Sequence, residues 1–287
     1  MTVAKVKQLL LRSRLLQRTK WWQTLRDHSP EYLMEAWGLG MFMVSAAVFT
    51  TLFEYPGSPV HQAVVDADLR RALIGLAMGL TAVGIIYSPW GQQSGAHLNP
   101  AVTLTFLRLG KITGFDALWY VAAQFIGGLI GVLLSVAILG MAFVTPPVQY
   151  VVTLPGANRV STAFLAEFVI SAGMMFTVLL VSNSKRFGRI TGLCAGILVA
   201  LYITFEAPLS GMSMNPARSF ASAAPGGIWQ HLWVYFTAPV LGMLGAAEMF
   251  CLMKSSAQVH CAKLDHPSTR RCIHCHYVPS SGLRVEA

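Results

Sequence analysis

Six stretches of this chain approach the roughly 20 mostly apolar residues that a helix needs to cross a bilayer. They are Leu33–Phe53, Ala72–Tyr87, Ala117–Phe143, Ala163–Ser182, Ile190–Phe205 and His231–Met253. In hydrocarbon each backbone polar group must be satisfied within its own segment, so runs of this kind fold as helices. The expected fold class is therefore an all-α membrane protein. Composition leads to the same place: 54% of the residues are hydrophobic and only 11% charged, against about a quarter charged in an ordinary soluble domain. That leaves too little polar surface to clothe a soluble globule of 287 residues, and the chain is too apolar to be disordered. A net charge of +9 would point to nucleic acid in a soluble chain. Here it reads as topology, and no nucleic-acid partner is expected.

Seventeen of the 21 Lys and Arg residues fall on one side of the six runs: the N-terminal 30 residues, the two connections with Arg108–Lys111 and Lys185–Arg189, and the C-terminal tail. Arg70, Arg71, Arg159 and Arg218 remain on the other side. The positive-inside rule then places both termini in the cytoplasm of a cell (inner) membrane protein with six crossings. The N-terminal region is not read as a cleavable signal, because its basic stretch is long and no small-residue cleavage site follows the first run. Its KVKQLLLRSRLLQRTKWW stretch suits a basic amphipathic helix on the anionic inner leaflet, or a solvated tail that only enforces orientation. Three parts follow: a basic segment over 1–30, a spanning domain over 31–253, and a tail over 254–287 that carries Cys and His. Within the runs, Gly75/Gly79, Gly127/Gly131 and Gly192/Gly196 are spaced for close helix packing in lipid.

The spanning domain is duplicated, with one copy over about 31–143 and the other over about 161–253. Glu35 lies early in run one and Glu167 early in run four; Ser94-Gly95-Ala96-His97-Leu98-Asn99-Pro100-Ala101 follows run two and Ser210-Gly211-Met212-Ser213-Met214-Asn215-Pro216-Ala217 follows run five. Three crossings per copy is an odd number, so the copies are inverted. The Asn-Pro-Ala segments then enter from opposite faces, each followed by about 8–10 apolar residues, or ~12–15 Å of helix. Two such half-helices meet near the middle of a ~30 Å core. The tripeptide suits a helix start: Asn is among the best N-caps, Pro at the first helical position forfeits no hydrogen bond, and Ala lets two ends abut.

With these motifs the chain resembles the aquaporins of the major intrinsic protein family, through SGAHLNPAVT, AEF, GMSMNPARSFASA and HLWVYFTAP. The resemblance implies six tilted helices and two half-helices around one pore per subunit, in a homotetramer. It implies a passive channel for water, with small neutral solutes such as glycerol, ammonia or hydrogen peroxide as further cargo, that excludes protons and ions and needs no cofactor for transport. Asn99, Pro100, Ala101, Asn215, Pro216 and Ala217 would form the pore centre. Glu35 and Glu167 would be buried acids holding the loop backbones. Arg218 would be the fixed cation of an outer filter completed by Met78, Ile203 and Met212, with Gly79 and Tyr202 as alternatives in runs two and five. His97 would line the cytoplasmic half, and Glu206 would sit in the outer vestibule or cap a helix. Ser219, where glycerol-conducting relatives carry Asp, together with Ala223, Tyr235 and Phe236, brings the chain closest to bacterial water-type members, with an unusual apolar filter.

The competing reading is an ion-coupled secondary transporter, which shares inverted repeats and broken helices. Two facing helix N-termini disfavour a coupling cation at the junction. No nucleophile–base arrangement, phosphate loop or metalloprotease motif is present, so the chain is not read as an enzyme. In the tail, Cys272–His276 matches the C-x-x-C-H haem-attachment pattern, but the charge count puts the tail in the cytoplasm, where haem is not attached. Zinc is the better reading, held by Cys261, Cys272, Cys275 and one of His266 or His276. Disulfides are disfavoured in that compartment, and Cys194 within run five is read as packing.

Overall fold

The computed structural model of the protein describes residues 3–156, 159–266 and 269–278, with side chains from Trp22 onward. Eight helices build the spanning body: α1 (Val3–Glu54), α2 (Ala67–Tyr87), the short α3 (Pro100–Arg108), α4 (Gly114–Leu139), α5 (Val160–Ser182), α6 (Thr191–Phe205), the short α7 (Pro216–Gly226) and α8 (Leu232–Lys254). Six helical segments, from Trp22–Glu54 to Leu232–Lys254, are long and apolar enough to cross a membrane. Each corresponds to one of the runs in the sequence.

The ends of several helices differ from the apolar runs, for local reasons. Helix α2 starts five residues before its run, at Ala67, because Asp66 caps it by accepting from the Leu69 N–H at 2.7 Å. Its first turns carry Asp68, Arg70 and Arg71, which hide the helix from a hydropathy reading. Helix α4 stops at Leu139, inside run three, because Gly140 takes a positive φ of 54°. Helix α1 extends back through Pro30 to Val3. The basic side chains from Lys5 to Lys20, and with them the choice between a leaflet-bound face and a solvated tail, lie outside the described residues.

Helix pairing follows the duplication. Helices α1 and α4 pack together in the first half, as α5 and α8 do in the second, while α2 and α6 join the halves. Each half-helix crosses over to the other copy: α3 packs on α8 and α7 on α4. Glycine makes these contacts possible. A Cβ at Gly127 would sit 2.1 Å from the Ala36 carbonyl oxygen, and one at Gly79 2.5 Å from that of Gly196. Both distances are far inside contact range, so only a residue without a side chain lets these backbones approach.

The described part of the tail does not leave the body. Val259, Ala262, Leu264 and Ile273 are buried and belong to the same apolar core as the spanning helices.

Candidate functional site

Each half-helix begins at an asparagine in extended backbone, Asn99 with φ −155° and Asn215 with φ −146°. The side-chain oxygens act as caps: Asn99 Oδ1 accepts from the Ala101 N–H at 2.8 Å, and Asn215 Oδ1 accepts from Ala217 at 3.0 Å and Arg218 at 3.2 Å. The amide nitrogens reach across the junction. Asn99 Nδ2 donates to the Met214 carbonyl at 2.6 Å, and Asn215 Nδ2 donates to the Leu98 carbonyl at 2.7 Å. This exchange locks two helix N-termini head to head. An amide nitrogen carries two hydrogens, so one on each asparagine is still free to donate into the adjoining cavity.

The segments leading into the asparagines are held in an unusual conformation. Ala96, Leu98, Met212 and Met214 all have φ between 43° and 55°, a left-handed region that costs non-glycine residues about 1–3 kcal/mol each unless the surroundings impose it. Two buried carboxylates impose it here. Glu35 accepts from Ser94 Oγ (2.8 Å), the His97 N–H (3.0 Å), the Leu98 N–H (2.6 Å) and Gln124 Nε2 (2.9 Å). Glu167 accepts from Ser210 Oγ (2.8 Å) and from the Ser213 and Met214 N–H groups (both 2.7 Å). The duplication extends to a pair of tyrosines, of which Tyr120 had no assigned role in the sequence and Tyr235 only that of a subtype indicator. Tyr120 Oη donates to the Ser94 carbonyl at 2.7 Å and Tyr235 Oη to that of Ser210 at 2.5 Å. Aligning the two repeats was the signal that would have found them.

A cavity of about 580 Å³ runs along the junction. Its wall includes Asn99 and Asn215 at the middle; Arg218, Met78, Ile203 and Met212 also line it. The two alternatives face elsewhere: Gly79 is against Gly196, and the Tyr202 hydroxyl is beside Gly173. Arg218 Nη1 donates to the Val151 carbonyl at 2.8 Å. Val151 lies in a turn where Gln149, Tyr150 and Val151 all have positive φ. Nothing in the sequence pattern singled out that partner. Ser219 is fully buried and hydrogen-bonds to Thr153 (2.8 Å) and Ser213 (2.6 Å), so it braces the loops and does not face the cavity. Glu206 is buried at the start of the short Ala207–Ser210 turn and is absent from the cavity wall. The one carboxylate in that wall, Glu54, is paired with Arg70 at 3.3 Å.

At the end of the cavity nearer the chain termini, His97 lines the wall with both ring nitrogens engaged. Nε2 is 2.5 Å from the Ala262 carbonyl and Nδ1 is 3.1 Å from Thr103 Oγ1. A carbonyl only accepts, so Nε2 carries the proton; the Thr103 hydroxyl beside Nδ1 also reaches the Asn99 carbonyl at 3.2 Å. The Ala262 contact comes from the tail. There the Cys261, His266, Cys272 and Cys275 ligand atoms all lie within 4.8 Å of one another, with Cys261 Sγ 3.4 Å from Cys272 Sγ and His266 Nε2 3.2 Å from Cys275 Sγ. His276 is exposed and outside this group, so of the two histidines His266 is the one brought in. The hydrogen bond from Cys261 holds the Cys272 thiol well below the usual range and pushes Cys261 above it.

An inverted repeat of broken helices around a membrane-spanning cavity is the architecture of a transport protein. Residues 27–250 match the major intrinsic protein family, and the chain belongs to that family. It is 37% identical to Aquaporin NIP3-1 of Arabidopsis thaliana over 72% of this chain, and 32% identical to Aquaporin NIP2-2 of Zea mays over 75%. It spans 65% of the Arabidopsis protein's length and 72% of the maize protein's. The aquaglyceroporin from Plasmodium falciparum has the same fold, with a TM-score of 0.66 at 20% identity, covering 78% of this chain and 95% of that one. Both of these sequence relatives are plant NIP-type proteins, which gives no support to the bacterial water-type affinity expected from Ser219, Ala223, Tyr235 and Phe236. The structure shows why two of the indicators used were weak: Ser219 and Tyr235 are fully buried braces and carry no information about what passes.

Proposed function

We propose that the protein is a passive channel for water and small neutral solutes, such as glycerol, ammonia or hydrogen peroxide. The observation that carries this reading is the cavity beside two asparagine-capped helix N-termini locked head to head. Each N-terminus contributes about half a positive elementary charge, and neither Glu35 nor Glu167 faces the cavity to offset it. A cation pays for desolvation and meets this field, while a neutral solute pays neither cost. A water whose oxygen accepts from both free amide hydrogens has no lone pair left for its neighbour's proton, so the proton relay breaks there. The same field argues against an ion-coupled transporter.

Arg218 with Met78, Ile203 and Met212 forms the filter in this reading. Thioether side chains are flexible and apolar, so the ring supplies one fixed charge and a deformable wall, which suits solutes larger than water. The charge distribution supports cytoplasmic termini in the cell (inner) membrane. Exposed Leu133, Leu134, Ile138 and Leu165 suit lipid or neighbouring copies in a homotetramer. Stopped-flow light scattering on proteoliposomes tests the channel: shrinkage faster than that of empty vesicles, with a low activation energy, is the expected result. Rates equal to those of empty vesicles overturn it.

The tail cluster suits zinc. A tetrahedral ion with Zn–S near 2.3 Å and Zn–N near 2.0–2.1 Å places its ligand atoms about 3.5–3.8 Å apart. The observed separations, all within 4.8 Å, need only small adjustment. We expect one zinc per chain by metal analysis of protein purified under reducing conditions, falling to none in Cys272→Ser/Cys275→Ser.

A further inference from the structure

We propose that the zinc-folded tail is a plug, closing the mouth of the channel nearest the chain termini while the metal is bound. The inference rests on the channel and zinc readings above and adds regulation to them. Its first support is position. Leu264 lies three to eleven residues from the cluster's cysteines, is buried, and forms part of the cavity wall. Its N–H donates to the Gly95 carbonyl at 3.2 Å, on the loop that leads into Asn99. A branched apolar side chain at the terminus-side end of a narrow passage obstructs it and offers water no hydrogen bond.

The second support is that the tail occupies groups a conducting pore would leave free. His97 Nε2 is bonded to the Ala262 carbonyl instead of facing solute. The His274 ring stacks on His97 with centroids 5.8 Å apart, and its Nε2 is 3.2 Å from the Ser94 carbonyl and from Tyr120 Oη. The seat also matches in charge. Arg271 pairs at 2.9 Å with the fully buried Glu31, and buried Lys263 donates to the Gln92 carbonyl at 2.9 Å and the Arg271 carbonyl at 3.1 Å. Asp265 accepts from Gln92 Nε2 at 2.9 Å.

The third support is what holds this segment together. Past the short Ser256–Gln258 turn, the described tail contains no helix or strand. A stretch this short and irregular depends on a cross-link to stay folded, and metal binding is then folding free energy. The four ligands span Cys261 to Cys275 and enclose Leu264, Arg271 and His274, so losing the ion loosens all three contacts together. Removal of the metal opens the channel, and its return closes it.

The test uses the full-length chain, kept reduced throughout and reconstituted into liposomes either zinc-loaded or stripped with a chelator beforehand. Stripping should raise osmotic water permeability per channel on the order of tenfold, as expected when a closed state favoured about ten to one is released. Added zinc should reverse the rise. Leu264→Ala should conduct at the stripped rate while still holding one zinc per chain. A protein that binds zinc and conducts equally loaded and stripped overturns the plug and leaves the metal site standing. One that takes up no zinc overturns both, and one that stays impermeable in both states overturns the channel reading and the plug with it.

Discussion

Replacing Glu167 with leucine is expected to destabilise the protein more than any change in the filter. The carboxylate accepts from the Ser213 and Met214 N–H groups and from the Ser210 hydroxyl, in a place fully closed to solvent. Leucine fills the space but accepts nothing. An unsatisfied buried donor costs roughly 1–3 kcal/mol, so the loss is on the order of 5 kcal/mol. For a chain of this size that corresponds to a fall of about 10–20 °C in the thermal midpoint. Glu167→Gln keeps one acceptor and should lie between. Glu35→Leu should behave like Glu167→Leu, because it orphans the His97 and Leu98 N–H groups in the same way. Thermal unfolding in detergent checks this, and a midpoint within about 3 °C of wild type would show that these acids do not hold the loops.

The second large effect is on what passes. Arg218→Val removes the charged side chain lining the cavity beside the half-helix ends, together with its bond to the Val151 carbonyl. A unit charge about 6 Å from a passing ion, at an effective dielectric near 20, is worth roughly 3 kcal/mol. Ion and proton leak should therefore rise about a hundredfold, and glycerol should pass faster because the constriction widens. Water flux should change little. Asn215 still caps the Ala217 N–H, so the half-helix should persist, and the thermal midpoint should stay near wild type. Proton flux into dye-loaded vesicles is the measurement. A leak unchanged from wild type would move the whole ion barrier onto the Asn99–Asn215 junction.

Much of this architecture was legible before any coordinates. Crossing number, inversion of the repeats and half-helix starts at Asn99 and Asn215 all follow from local patterns, because in lipid the backbone must satisfy itself within each segment. The pairing of Glu35 and Glu167 with the two loops was an implication of the family resemblance, prompted by their matched positions in the repeats. The ends of helices were less legible, since Asp66 and Gly140 act through capping and backbone conformation, which hydropathy does not register. The bacterial water-type subtype found no support, for a related reason. Ser219 and Tyr235 are conspicuous near the second Asn-Pro-Ala, but only their burial reveals that they brace loops.

The sequence by itself determined the membrane class, the duplication and the two helix starts, since each depends on residues adjacent along the chain. Only the tertiary structure decided which contacts those pieces make over long separations. The Arg218–Val151 bond, the choice of His266 over His276, and the Leu264–Gly95 bond join residues from 67 to 169 positions apart or depend on how a loop without repeat or period folds. Periodicity carries no information about such meetings, because they are set by how helices α1 to α8 pack and by where that packing leaves a groove for the tail.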